Sequence, residues 1–409
     1  MTASAPALPA PVSARRSRVA GTLVACSLVG AVVVAVVAAR HAAPSDVSPV
    51  TPAGAWNDAW VGAIVAGFAL YVLGTRLAWS GALRLRVAVA VAVVVQALPL
   101  AAPLLLSKDA FLYWGEGRVL VAHHANPYVS TPADYPRDPA TPWVSQSWVA
   151  QPSPYGPAWT AVAAIPAATT SHRAAELAYR SLSLVALLAC IAIVARRTRS
   201  AGAVALLGWS PLLGLHFAGG GHGDSTMMLA TLGAVAAGAS LAGGVLWSVG
   251  SAFKPFPPVL VPLELARRRL AVGRAWWAGL AGAAIAIAAA STAAFGTHWI
   301  GSVSTGAHQT SPLGGVHWLT EAGLSHRDAV VVGGLVFAAV YVVLLRSAWR
   351  SGRGRFSLAA TALCLTTSLL RPWYALWPVA LAALEEDGFA AFAALALTGY
   401  LLLGDSVSL

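Results

Sequence analysis

Apolar runs separated by short arginine-bearing breaks repeat along nearly the whole chain, without the period-two alternation that barrel strands show. They lie at about 19–39, 59–75, 87–106, 175–195, 201–218, 225–243, 274–295, 329–347 and 388–404. Several reach the ~17–25 residues a helix needs to cross the hydrocarbon layer. Spanning segments must satisfy their backbone groups internally, so the pattern predicts an all-α, polytopic transmembrane helical bundle. Counting the short pair around LLRPWYALWP gives about 11 spans, plus one or two re-entrant or interfacial helical segments. One such segment is the 157–170 piece, too short to cross. Another is the stretch containing SAFKPFPPVLVP, whose two ends look alike in charge; it reads as a broken hairpin with Lys254 at membrane depth.

Composition agrees, with 58% hydrophobic and 10% charged residues, where a soluble domain carries roughly a quarter charged. The net charge of +11 would suggest nucleic acid in a soluble protein, but here the basic residues cluster between the runs. The positive-inside rule makes those clusters cytoplasmic, beginning with Arg15, Arg16 and Arg18. On that map 17 of the 26 basic residues are cytoplasmic and 11 of the 15 acidic residues are outside. The expected organisation is a disordered cytoplasmic tail at 1–18, a single transmembrane domain at 19–404 with outer loops 107–174 and 296–328, and an outer tail at 405–409. The first run reads as a retained span, being too long for a signal-peptide core. Cys26, Cys190 and Cys364 sit inside apolar runs without metal or redox spacing and read as packing residues.

Chemistry should then be sought on the outer face. In SKDAFLYWGEGRVLVAHHANPY, Ser107 to Tyr128, the residues Asp109, Tyr113 and Glu116 fall on one helical face at the lip of the membrane. The plainer alternative is that Asp109 caps a short interfacial helix beside Ser107 and Lys108. His222, Asp224 and Arg371 arrive at the same face from distant parts of the chain, and Glu176 with Arg180 forms either a local ion pair or a ligand contact. A carboxylate there could accept a proton from an attacking sugar hydroxyl, while cations stabilise a departing phosphate. His222 and Asp224 alone make no coordination shell, so no metal site is expected. The histidines of 296–328, namely His298, His308, His317 and His326, read as ordinary polar groups, and most of the 16 tryptophans as an interfacial belt.

The chain resembles the C-type glycosyltransferases, and more narrowly the actinobacterial polyprenol-phosphate-mannose-dependent α-1,6-mannosyltransferases of lipomannan synthesis. The resemblance rests on the Asp of SKDAFLYWGEGRVL, NPY at Asn126 to Tyr128, PYGP at Pro154 to Pro157, GGGHGDSTMM, Lys254 with Pro255, and RPWYALWP, spanning about 100–380. It implies C-type architecture, an extracytoplasmic active site in the cell membrane, no cofactor, a polyprenyl-phosphate-mannose donor and a glycolipid or glycan acceptor. Asp109 would be the catalytic base of a single inverting displacement. Tyr113, Glu116, Asn126, Tyr128, Tyr155, Arg180, His222, Asp224, Lys254, Arg371, Trp373 and Tyr374 would contact substrate. The family commonly shows His-Asn-Asp where this chain has His222, Gly223 and Asp224. Readings from other classes are a transporter or flippase for a lipid-linked sugar and a non-catalytic scaffold. Within the same chemistry, an α-1,2 linkage or a pentose donor stays open.

Overall fold

The computed structural model describes residues 12–42, 54–302 and 310–402. Among them are 17 α-helices and no sheet. In chain order these are α1 (Val12–Ala42), α2 (Ala55–Trp79), α3 (Leu85–Ala97), α4 (Asp109–Val121), α5 (Pro157–Ala164) and α6 (His172–Thr198). Then come α7 (Ala201–Gly208), α8 (Pro211–Phe217), α9 (Asp224–Ala237), α10 (Leu241–Phe253), α11 (Pro257–Arg267) and α12 (Arg274–Phe295). The chain continues through α13 (Gly315–Glu321), α14 (His326–Ser351), α15 (Phe356–Thr366), α16 (Leu376–Glu385) and α17 (Gly388–Leu402). Five of them, α1, α2, α6, α12 and α14, are long and apolar enough to cross a membrane, so the chain is a multi-pass membrane protein. By contrast, α9 and α10 have only 14 and 13 residues, against 22 in α12.

Contacts between helix ends sort into two faces. On one, Gly21 lies against Leu83, Gly202 against Trp79 and Gly238 against Arg268, and Arg355 pairs with Asp387 at 2.6 Å. On the other, Arg40 Nε donates to the Ala101 carbonyl (2.6 Å), Leu105 N to Gly219 (3.0 Å), Gly156 N to Phe253 (3.2 Å) and Ser311 N to Ser368 (3.0 Å). The arginine clusters share the first face and the 107–171 segment the second. That is the alternation the charge pattern predicts. Glu264 pairs on this arginine face with Arg267 and Arg268 at 2.6 and 2.5 Å.

The expected outward run at 201–218 is broken into α7 and α8. Pro211 cannot donate, so the helical ladder is interrupted around Trp209 and Ser210. Buried Gln96 reaches across from α3 and donates Nε2–H to the carbonyls of Gly208 (2.9 Å) and Ser210 (3.0 Å). Tyr71 donates to Leu206 (2.6 Å) and the Trp209 indole to Ala88 (2.9 Å). These bonds let a broken helix lie wholly inside the bundle.

Two sequence expectations change. Helix α1 begins at Val12 and takes in Arg16 and Arg18, which were assigned to the 1–18 tail; residues 1–11, His308 and 405–409 lie outside the described residues. Seven of the 16 tryptophans are buried, Trp60, Trp114, Trp159, Trp209, Trp247, Trp276 and Trp377. They fill the interior rather than a belt; Trp114 and Trp209 donate their indole N–H to the Thr169 and Ala88 carbonyls and Trp377 to Asp224, while the indole nitrogens of Trp159, Trp247 and Trp276 are buried without a partner. The α10–α11 hairpin is broken at Phe-Lys-Pro as expected, and its break meets the start of α9 and the 107–171 segment.

Replacing Gln96 by leucine should lower stability by about 1–3 kcal/mol, because two buried carbonyls lose their donor. Thermal unfolding in detergent is the check, and an unchanged midpoint would remove Gln96 from this role.

Candidate functional site

The chain enters the site at Leu106, whose φ of +61° puts a leucine in the left-handed region, a conformation costing about 1–2 kcal/mol. The bend turns the chain so that Asp109 begins α4 with its N–H donating to Ser107 Oγ at 3.1 Å. Asp109 does not use its carboxylate as a helix cap. Its Oδ2 lies 3.1 Å from His222 Nδ1. A carboxylate only accepts, so Nδ1 carries the proton, and Nε2 is buried without a partner. The His222 ring is fully buried while Asp109 keeps 19% exposure, enough for a second group to reach it. Burial works against the charge of Asp109. The hydrogen bond and field of His222, the Ser107 hydroxyl and the Arg371 guanidinium outweigh that and hold its carboxyl below the ordinary value.

Asp224 opens α9, where the helix dipole favours a negative charge. Both its oxygens accept from Lys254 Nζ at 2.9 Å, and Oδ1 also accepts the Trp377 indole N–H at 2.9 Å. The RPWYALWP stretch forms one wall. Trp373 stacks on His222 with ring centres 3.7 Å apart, Tyr374 stacks on Trp377 at 4.2 Å, and Lys254 lies 4.6 Å over the Tyr374 ring. Arg371 sits at the start of that turn, 6.0 Å from the Trp373 ring.

The opposite wall is Tyr113, edge-on to Trp159 (4.6 Å) and Tyr155 (5.1 Å), with its hydroxyl accepting the Gly223 N–H at 3.4 Å. Gly223 is required here, since a Cβ would stand 2.7 Å from the Trp159 ring. The Trp159 indole thus fills the room in which the asparagine of a His-Asn-Asp sequence would lie. A void of about 10 Å³, lined by Gly223, Asp224, Lys254 and the surrounding rings, remains between the walls, about the volume of one water.

Of the residues singled out by sequence, Asp109, Tyr113, Tyr155, His222, Asp224, Lys254, Arg371, Trp373 and Tyr374 gather at this one place. Others do not. Arg180 is buried and spends its donors on the carbonyls of Ala218 (2.7 Å), Pro99 (2.7 Å) and Ala102 (2.9 Å) and on Glu176 (2.5 Å). Asn126 donates to the Phe295 carbonyl (2.8 Å) and the Tyr128 ring lies edge-on to that of Phe295 (5.2 Å), so the NPY turn latches the 107–171 segment to the end of α12, while the Tyr128 hydroxyl bonds Thr160 (2.8 Å) within the segment. Glu116 accepts from Ser153 at 2.8 Å, its other oxygen is buried without a partner, and burial, opposed by Ser153 and aided by the Asp109 charge, pushes its carboxyl up to about 8. His317 lies against Trp318 and is not part of this cluster. Sequence reasoning missed Trp377, Trp159 and Ser107 as site residues. Trp377 was findable, because it stands four residues after Trp373 in a motif already singled out.

A family model described as alpha-(1->6)-mannopyranosyltransferase, N-terminal domain, matches residues 18–306. That span contains Asp109, His222, Asp224 and Lys254 and stops before Arg371 and the tryptophan wall. No curated protein and no solved structure matches the chain.

Gly223→Asn should destabilise the site through its clash with Trp159, and Trp159→Ala in the same chain should recover part of the lost thermal midpoint; equal midpoints for single and double variants would refute the steric account. Glu116 binds its proton more tightly folded than unfolded, so stability should fall as pH rises from its ordinary value of 4.5 toward about 8. Glu116→Gln should flatten that slope in melts recorded across this range.

Proposed function

The chain belongs to the alpha-(1->6)-mannopyranosyltransferase family and is a mannosyltransferase, and on that premise we propose that it takes mannose from polyprenyl-phosphate-mannose. The acceptor is a hydroxyl of a glycolipid or glycan, and the transfer takes place at the outer face of the membrane. Inversion of a β-linked donor gives an α-mannoside, with an α-1,6 linkage in keeping with the family. The observation that carries this reading is the 3.1 Å contact between Asp109 and His222, with cations at Lys254 and Arg371 around it.

The acceptor oxygen attacks C1 of the mannosyl group while its proton passes to Asp109. The C1–O bond breaks, and its electron pair leaves with the lipid phosphate, which needs no protonation. His222 fixes the carboxylate and keeps it unprotonated until the hydroxyl arrives. Arg371 and Lys254 offset the charge that grows on the phosphate. Asp224 and Trp377 hold the Lys254 ammonium in place. Tyr113, Tyr155 and Trp373 offer ring faces and edges for the sugar. Placement of the site opposite the arginine-rich face supports an outer location.

Asp109→Asn preserves shape and the His222 contact while removing the base, so turnover should fall by about 10²–10⁴ with an unchanged melting temperature. Transfer of labelled mannose from polyprenyl-phosphate-mannose in membranes measures this, and near wild-type turnover would rule Asp109 out. Arg371→Ala should weaken donor binding about tenfold, read as a raised KM.

A further inference from the structure

A cavity of about 440 Å³ opens between α10, α11 and α12 and is bordered also by Pro154, Gly156 and Pro157, which flank Tyr155, and by Trp299 and Ser302. Lys254 lines both this cavity and the small void against Gly223 and Asp224. Among the described residues, Lys254 is the only one shared by the linings of the small void and the cavity. Its size falls in the ~300–1,000 Å³ range of sites that hold a whole organic ligand.

The walls are apolar. Val261, Leu280, Ala284, Ile287 and Ala288 together with five prolines make up ten of the 17 lining residues. The hydroxyls of Ser248 and Ser251 donate to the carbonyls of Leu280 and Trp247, both at 2.7 Å, so they offer the cavity no free donor. The prolines at 255, 258 and 262 have no N–H to present. The shape follows from helix packing. Near the arginine face Gly244 and Gly279 let α10 and α12 touch, a Cβ at either standing 2.1–2.2 Å from a backbone oxygen. Beyond that contact the helices part, leaving a wedge.

Helix α12 is only 17% buried over its apolar window, and Ile285, beside Ala284, is 69% exposed. The wedge therefore borders the side of the bundle that meets lipid. At its polar end the Lys254 side chain retains 20% exposure while its partner Asp224 has 4%. The cation is thus the more accessible member of the pair.

We propose that this groove holds the isoprenoid tail of the lipid phosphate, with the phosphate against Lys254 and the sugar beyond it at Asp109. The assignment rests on the lipid-phosphate donor reading above and adds the place and direction of the donor. The lipid approaches laterally, between α10, α11 and α12, and passes Pro154, Gly156 and Pro157 of the 107–171 segment at the rim of the groove.

The full chain in nanodiscs is photolabelled with a long-chain polyprenyl phosphate carrying a diazirine in its tail, and the labelled peptides are mapped. Labelling within α10–α12, displaced by unlabelled polyprenyl phosphate but not by phosphatidate, is expected. Ala284→Trp and Ala288→Trp should abolish it and raise the KM of the long-chain mannosyl donor about tenfold relative to that of a short, water-soluble isoprenyl donor. Labelling elsewhere, equal displacement by phosphatidate, or the same KM change for both donors would overturn the assignment. Should a tryptophan variant fail to fold, the wild-type label map still decides. Labelling in the groove with no mannose transfer by the wild-type protein would overturn the donor reading and leave a lipid-phosphate groove in place.

Discussion

The guanidinium of Arg180 is the interaction on which the site depends, although it touches none of the groups that meet there. It gathers the carbonyls of Pro99, Ala102 and Ala218 into one hand, and Glu176 balances its charge. Ala102 stands just ahead of the bend that delivers Asp109, and Ala218 just ahead of the glycines that deliver His222. The separation of acid and imidazole is thus set by a side chain at the root of both arms. In a lipid environment this is also a requirement of solvation. Helices that stop inside the bundle leave carbonyls that water cannot reach, and a buried cation with several donors is an economical way to satisfy them.

The same end of the bundle holds three carboxyl groups whose surroundings separate them. Asp224 is locked against an ammonium and an indole N–H, Glu116 is buried with one oxygen unpaired, and Asp109 alone combines partial exposure with a ring N–H that holds it in place. Environment, not residue type, distinguishes the base from its neighbours. The aromatic wall contributes to that separation. Trp373 covers the His222 ring, and Trp377 completes the shell of Asp224.

Much of this was legible beforehand. Arginine spacing predicted which helix ends share a face, since orientation is a property of short charged loops, and the break at Lys254 could be read from Phe-Lys-Pro. What could not be read was the use of individual side chains in three dimensions. Arg180 read either as the ion-pair partner of Glu176, which it is, or as a ligand contact, and nothing in the i,i+4 spacing reveals three distant carbonyls. Asn126 and Tyr128 lie in a motif that marks the family resemblance, yet their contacts latch one segment to α12. Gly223 looked like a missing contact, whereas Trp159 occupies the space.

The short helices α9 and α10 carry a further consequence. At ~1.5 Å per residue, their 14 and 13 residues extend about 20 Å from the arginine-rich surface. Set upright and flush with the arginine-rich boundary of a hydrocarbon layer ~30 Å thick, helices of this length put the Asp224–Lys254 pair at their tips about 10 Å beneath the opposite boundary. A water-borne anion would have to shed its hydration shell to descend that far. An amphiphile already resident in the leaflet arrives by two-dimensional diffusion with its tail solvated throughout, so the depth of the pair is itself a filter for substrates that live in the bilayer.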